Sequence, residues 1–408
     1  METRAVSKNN VLFLVPKLFC GGVERSVVDI FNHLQHQNPA NKVLLAAFYP
    51  DGEFAAQVHQ PILTPSYPKW LRRLVHKFLL GAKQQASEIS FWLEILHIVV
   101  ASLLLPSLLK QGKPRIIVSF THHAMFAMWL RKRLLKKHRV HWILVEGSNI
   151  VDGIQNGVQN HWLYCRIYRI FKRAYHSADY IIAVSQGLSH ALSQAFDLPE
   201  RRITCIHNPI VQQATALSEQ NSPVPPSFPY IIAVGRLVAV KGFDILLQAY
   251  AKIAPELAVN LVILGEGPQH EALLQLVHKF NLQQRVLLPG FVPNPRTWMR
   301  TAKILILSSK MEGLGNVILE AMAEGTPVVA TDCDFGPRDI IQDGYNGRLV
   351  PVGDPQALTN AITELLNHPE HSQQYATHAL QTLEHFSISR ICQEYAALFT
   401  QFGVDIKC

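Results

Sequence analysis

The sequence predicts an α/β protein made of two doubly wound parallel-sheet domains. Three observations carry this expectation. Short apolar runs alternate with helical patterns in two successive series. A stretch of different composition separates the series. The chain's 408 residues, 48% of them apolar and 17% charged, suffice for two sizeable cores and exclude a mainly disordered state.

In chain order, residues 11–15 read as the first strand, Cys20-Gly21-Gly22 as a turn, and 23–37 as a helix with Val23, Val27, Ile30, Phe31 and Leu34 on one face. Residues 43–48, 116–120, 141–145 and 180–184 are further buried strands, with helical patterns between them. Between 211 and 229 the composition turns to Gln, Ser, Ala and Pro without apolar periodicity, which reads as a linker. Alternation then resumes with strands at 230–234, 260–264, 286–288, 304–307 and 327–330, and three helical patterns close the chain from 354 to 402. The expected domains are therefore 1–210, a linker at 211–229, 230–385, and a last helix within 386–408 that can pack back on the first domain.

The formal net charge of +8 hides a polarity. Residues 1–210 hold 25 Lys and Arg against 12 Asp and Glu; the remainder hold 13 against 18. The first half is thus expected to meet an anionic surface, either nucleic acid or membrane. Nucleic-acid modules interleave exposed aromatics with their cations, whereas the aromatics here sit at apolar periodic positions, so no nucleic-acid partner is expected. Residues 70–80 place Leu71, Leu74, Val75 and Phe78 at helical spacing among cations, as an interfacial helix does. Two further basic clusters follow, Arg131 to Arg139 and Arg166 to Arg173. Residues 91–109 are strongly apolar, yet Glu94 and Pro106 argue for a core or interfacial helix against a span. The short run at 11–15 is followed at once by Lys17, so it reads as a strand and not as a secretory signal. The six cysteines are far apart, which fits a reducing compartment without disulfides or structural zinc.

Ligands of doubly wound sheets sit at the carboxyl ends of the strands, and two such domains would face each other across a cleft. Gly21-Gly22 follows the first strand and opens a helix, which suits a phosphate. Arg236 ends the first strand of the second series and Lys241 precedes its helix, so both can reach one anion. From Glu312 through Gly313, Leu314, Gly315 and Asn316, a glycine-bearing loop leads into a helix whose free N–H groups would nest a pyrophosphate. Glu320, about one turn into that helix, suits a ribose diol, and Glu312 suits sugar hydroxyls. The Asp332-x-Asp334 pair follows this motif and reads as a turn, not as a metal site.

At these positions the sequence resembles the retaining glycosyltransferases of family 4, which have the two-domain GT-B fold. The matching residues are Gly21-Gly22-Val23-Glu24-Arg25, Val184-Ser185-Gln186-Gly187-Leu188, His207-Asn208-Pro209, Gly235-Arg236-Leu237 with Lys241-Gly242, Gly265-Glu266-Gly267-Pro268, Gly290-Phe291, and Glu312 with Glu320. The resemblance implies that Arg236 and Lys241 bind the donor diphosphate, Glu320 the ribose, Glu312 the transferred sugar and Gly22 the phosphate from the opposite domain. Gly265, Phe291 and Val292 would complete the donor site. Phe335-Gly336-Pro337-Arg338-Asp339 looks like a variant found in members that use UDP-linked galactose-type or amino sugars. Many members carry a histidine at a strand end of the first domain; here His141 to Val145 is followed by Glu146-Gly147-Ser148, and Thr121-His122-His123 ends the strand before. Glu146, His122 and His123 are therefore the acceptor-side candidates.

The expected activity is transfer of a hexose or N-acetylhexosamine, with retention, from a nucleoside diphosphate sugar, UDP foremost, to a glycan or lipid-linked saccharide in cell-surface polysaccharide or lipopolysaccharide synthesis. No metal and no cofactor are expected. The expected place is the cytoplasm, peripheral on the inner face of the membrane. A UDP-sugar epimerase or a phosphorylase on the same fold is the alternative, although the chain shows no motif for either.

Overall fold

The computed structural model describes residues 10–18, 21–37, 43–49, 52, 54–65, 88–132, 140–148, 161–211 and 223–408. Its strands are β1 (Asn10–Lys17), β2 (Val43–Tyr49), β3 (Pro114–Phe120), β4 (His141–Glu146), β5 (Tyr180–Ala183), β6 (Ile203–Cys205), β7 (Tyr230–Val234), β8 (Asn260–Leu264), β9 (Val286–Gly290), β10 (Leu305–Leu307), β11 (Val328–Thr331) and β12 (Arg348–Val350). The described helices are α1 (Gly22–Gln37), α2 (Glu88–Gly112), α3 (Thr121–Leu130), α4 (His161–Tyr175), α5 (Gln186–Phe196), α6 (Phe243–Ile253) and α7 (His270–Lys279). They continue with α8 (Arg296–Thr301), α9 (Asn316–Ala323), α10 (Pro337–Ile340), α11 (Pro355–Asn367), α12 (Pro369–Thr382) and α13 (Ile388–Gln401). The chain folds into two compact units, one of Met1–Val184, Leu188–Pro209 and Ile388–Cys408, the other of Ser185–Gly187 and Ile210–Ser387.

The first unit holds a parallel sheet in the order β2-β1-β3-β4-β5-β6. Helices cover both faces, so Val11 to Leu14 are wholly buried and the strand needs no polar alternation. The last helix of the chain completes this core. Tyr395 and Phe399 of α13 bring their rings within 6.4 Å of Phe13, and Ile391 and Phe399 are fully buried.

In the second unit the order is β12-β11-β10-β7-β8-β9, again parallel throughout. Strand order reverses between β7 and β10 here, and between β1 and β3 in the first unit. Each reversal leaves a crevice at the carboxyl ends of the two strands. The core beneath joins Ile231, Leu261 and Ile306 to Leu246 and Tyr250 of α6 and Leu358 and Ile362 of α11. Helix α11 starts sharply because Pro355 occupies its first position and the Asp354 carboxylate accepts from the N–H groups of Gln356 at 2.9 Å and Ala357 at 3.0 Å. Asp354→Ala should cost about 1 kcal/mol of stability in urea denaturation, with Asp354→Asn recovering most of it.

Two short strands, β6 and β12, extend the sheets beyond the sequence expectation. Thr121 to His123, expected as the tail of the third strand, instead open α3, because β3 stops at Phe120. Helix α2 contains the apolar stretch at 91–109; it buries Leu104, Leu105 and Leu108 and exposes Leu103. Among the described residues no helix is long and apolar enough to cross a membrane. The basic amphipathic stretch at 70–80, the cations at 133–139, Cys20, and 212–222 of the expected linker lie outside the described residues.

Candidate functional site

The strand-end loops of the second unit are knitted together at its topological reversal. After β7 the chain runs through exposed Arg236 to a short turn (Ala239–Lys241) that ends in Gly242 at φ +64. Glycine is required there, because a Cβ would stand 2.1 Å from the carbonyl oxygen of Ser308. That close approach lets the two loops share hydrogen bonds. Lys310 N–H donates to the Val240 carbonyl at 2.7 Å, and the Ser308 hydroxyl donates to the Lys241 carbonyl at 2.9 Å.

The chemistry lies on top of this junction. Lys241 Nζ donates to Glu312 Oε1 at 2.5 Å, and the Ser309 hydroxyl donates to the same oxygen at 2.6 Å. The Glu312 side chain is only 10% exposed and that of Lys241 22%, so the pair is held in a partly dry setting where charge counts more than in water. Behind it, the Thr331 hydroxyl donates to the Ser309 carbonyl at 2.5 Å. Burial, with the charge of Glu312 added, pushes the neighbouring Cys333 thiol up to about 12, so it stays a thiol at neutral pH.

Beyond Glu312 the loop continues through Gly313 and buried Leu314 to Gly315, which caps α9 at φ +88. No carbonyl of the described residues accepts from the N–H groups of Leu314 or Gly315, and α9 adds the positive end of its dipole. Glu320 stands one turn further on and is partly exposed. On the other side of the reversal Gly265 N–H donates to the Gly290 carbonyl at 2.8 Å, tying the ends of β8 and β9. Phe291 then presents its ring at 39% exposure, whereas Val292 is 4% exposed and its side chain belongs to the core. Of that pair, only Phe291 offers a side-chain surface.

The sequence does not reveal the cavity of about 620 Å³ at the ends of β11 and β12, walled by Lys310, Cys333, Asp334, Arg338 and Val352 among others. Asp332, also on its wall, is gripped by Arg338, whose Nε donates to Oδ1 and whose Nη2 donates to Oδ2 at 2.7 Å. This fork makes Asp332 of the Asp332-x-Asp334 pair an ion-pair partner, while the turn itself begins at Asp334.

In the first unit, Gly22 opens α1 at the end of β1, the Arg25 N–H donates to the Gly21 carbonyl at 3.1 Å, and the Ser26 hydroxyl donates to the Gly22 carbonyl at 2.8 Å. Glu146, proposed from sequence for the acceptor side, is 1% exposed. Its carboxylate accepts from Tyr175 Oη at 2.6 Å and from the Ser148 hydroxyl at 2.7 Å and N–H at 3.0 Å. Glu146 is therefore turned inward as a brace for the loop after β4, and burial together with its charge raises the Tyr175 phenol well above its usual range. The side chains of His122 and His123 lie outside the described residues; their backbone forms the first turn of α3. Thr121 was not singled out from sequence. It sits at φ +74, rare for a β-branched residue, and its Oγ1 is buried without a hydrogen-bond partner among the described residues.

The family model described as Glycosyltransferase Family 4 matches residues 20–213, and that described as Glycosyl transferases group 1 matches residues 216–382. A Campylobacter jejuni N-acetylgalactosamine-N,N'-diacetylbacillosaminyl-diphospho-undecaprenol 4-alpha-N-acetylgalactosaminyltransferase is 30% identical over 221 residues, 54% of this chain and 60% of the relative. The lipopolysaccharide core biosynthesis glycosyltransferase LpsE of Rhizobium meliloti is 31% identical over 194 residues, 47% of this chain and 55% of the relative. The chain thus spans 55 to 60% of the length of these two curated relatives. Among solved structures, Anabaena Alr3699/HepE in complex with UDP superposes with a TM-score of 0.69 at 21% identity, covering 96% of this chain and 100% of that one. The lipopolysaccharide outer core galactosyltransferase WaaB, in its apo form, gives 0.66 at 18% identity, covering 96% and 99%. These neighbours share the overall fold of this chain. With the two family models following one another along the chain, each over one of the two sheets, the chain belongs to the family 4 type of GT-B glycosyltransferases.

Proposed function

We propose that this protein moves a hexose or N-acetylhexosamine from a UDP-linked donor to a glycan or lipid-linked saccharide in cell-surface polysaccharide synthesis, keeping the anomeric configuration. The observation that carries the reading is the Lys241–Glu312 pair beside the amino end of α9. A cation, a carboxylate and a row of backbone N–H groups at one strand reversal match, in that order, a diphosphate, sugar hydroxyls and the phosphate oxygens. The names of the two curated relatives and the UDP of the Anabaena protein support the substrate class. The acceptor is proposed to meet the first unit near the start of α3, which carries His122 and His123.

In the reaction the bond from the sugar C1 to the β-phosphate oxygen breaks and its electron pair stays on the phosphate. Arg236, Lys241 and the loop amides stabilise that growing charge more in the transition state than before it. The acceptor oxygen forms the new bond to C1 on the face the phosphate leaves, and its proton passes to the departing phosphate oxygen. Glu312 holds a sugar hydroxyl and Glu320 the ribose diol. Fixed cations do the work of charge neutralisation, so activity is expected to persist in a chelator.

Incubation with a panel of nucleotide sugars, followed by assay of released nucleotide and transferred sugar, tests the reading. One UDP-sugar should be turned over, without epimerised donor, and Arg236→Ala should lower its kcat about a hundredfold at saturating donor. Near-normal turnover by Arg236→Ala, or an absolute need for a divalent ion, would remove the proposed charge stabilisation.

A further inference from the structure

We infer that Thr121 is a positioning residue for transfer to the acceptor: its strained backbone fixes the first turn of α3, at a cost in stability. The inference rests on the reading that places a lipid-linked acceptor near the start of α3. Among the described residues, four non-glycine residues have positive φ: Lys113, Thr121, Asp197 and Asn281. Asn and Asp tolerate this region through local hydrogen bonds. Thr121, at φ +74, is the β-branched member of the four, and for such a residue the conformation is a genuine outlier. A second penalty falls on the same side chain. Its Oγ1 is buried and has no hydrogen-bond partner among the described residues.

Glycine would remove both penalties. The strand-end loops of the second unit use it where their backbone turns to positive φ, at Gly242, Gly265, Gly290, Gly315 and Gly336. At the end of β3 the chain keeps a threonine instead. The surroundings impose the bend: Phe120 pairs with Val145 of β4 and is buried, and Ala124, Met125 and Met128 of α3 are wholly buried. Strand and helix are pinned on either side, so the path between them must turn sharply at Thr121.

What the side chain adds is confinement. The first turn of α3 has no side-chain cap, because Phe120 stands at the N-cap position and contributes no side-chain hydrogen bond. An uncapped turn swings unless its backbone is held. A β-branched residue leaves position 121 a narrow well where glycine would have a broad one. The backbone of His122 and His123 follows directly, at the carboxyl end of β3, where strand order reverses between β1 and β3. Stability given up at Thr121 is thus matched by a fixed direction for the residues the acceptor would meet.

The test combines urea titration and steady-state kinetics of Thr121→Gly and Thr121→Val in the full chain. The assays use the UDP-sugar that the donor panel selects, with N-acetylglucosaminyl-diphospho-undecaprenol as acceptor probe and water alone as control. Thr121→Gly should raise the urea midpoint, because strain and orphan hydroxyl go together, yet lower kcat/KM for the acceptor on the order of tenfold. Donor KM and donor hydrolysis should stay at wild-type values, a separation that a merely structural role would not produce. Thr121→Val keeps the branch and sheds the hydroxyl, so it should also raise the midpoint and should transfer as wild type does. A midpoint lowered by Thr121→Gly, normal transfer by that variant, or transfer lost in Thr121→Val would each overturn the inference while leaving wild-type transfer, and with it the proposed function, standing. A wild type that hydrolyses donor but transfers nothing to the probe would overturn the lipid-linked acceptor and this inference together.

Discussion

Replacing Lys241 by alanine is expected to lower kcat about a thousandfold at saturating donor, a larger loss than for Arg236. The reason lies in the pairing of Lys241 with Glu312 at 2.5 Å. Removing the ammonium subtracts a stabiliser of the leaving phosphate and also uncovers a carboxylate beside it. Near a protein surface two unit charges at 4 Å interact by about 4 kcal/mol, enough to turn an attractive pocket repulsive. Donor KM should therefore rise together with the fall in kcat. The double variant Lys241→Ala/Glu312→Gln separates the two effects: KM should recover in part, because the uncovered charge is gone, while kcat stays low. Steady-state kinetics on the three proteins decide this, and a Lys241→Ala enzyme changed only in KM would show that the lysine serves binding alone.

The largest loss of stability is expected at Arg296, which begins α8. Its guanidinium is 1% exposed, donating from Nε to Glu324 Oε1 and from Nη1 to the Val211 carbonyl, each at 2.6 Å. Glu324 directly follows α9, and Arg296 begins α8, so the pair fixes the far end of the helix whose amino end carries the glycine loop. Breaking a buried pair from one side costs about 3 to 5 kcal/mol. Glu324 keeps a second partner in Arg300 at 2.7 Å, itself 61% exposed, which places Arg296→Ala near about 3 kcal/mol, at the lower end of that range. A urea midpoint lowered at unchanged slope is the expected signature. Arg296→Met/Glu324→Gln should lose less than Arg296→Ala, because it leaves no uncompensated charge.

The sheets were legible in the sequence wherever a strand is long and buried on both faces. Residues 11–15 or 260–264 leave no doubt, since a run of Val, Leu, Ile and Phe has no other use in a parallel sheet. Strands β6 and β12 have three residues each, one of them beginning with Arg348, and so short a run carries no period. The candidate site was legible as a set of residue types at strand ends, and the resemblance assigned their expected roles. Its internal wiring was not. Lys241 and Glu312 are 71 residues apart, and only the strand order, which no local pattern encodes, brings them together. Burial was equally hidden: Glu146 and Val292 have the residue types of a binding wall and turn out to face inward, while Arg296 looks like a surface charge and is part of the core.

The loop after β11 leans on the loop before α9 with no room to spare. Gly336 has φ +89, and a Cβ there would lie 2.4 Å from backbone atoms of Leu314. Any side chain at position 336 would collide with the backbone of the glycine loop, so Gly336→Ala is expected to displace residues 312–316 and the Glu312 carboxylate with them.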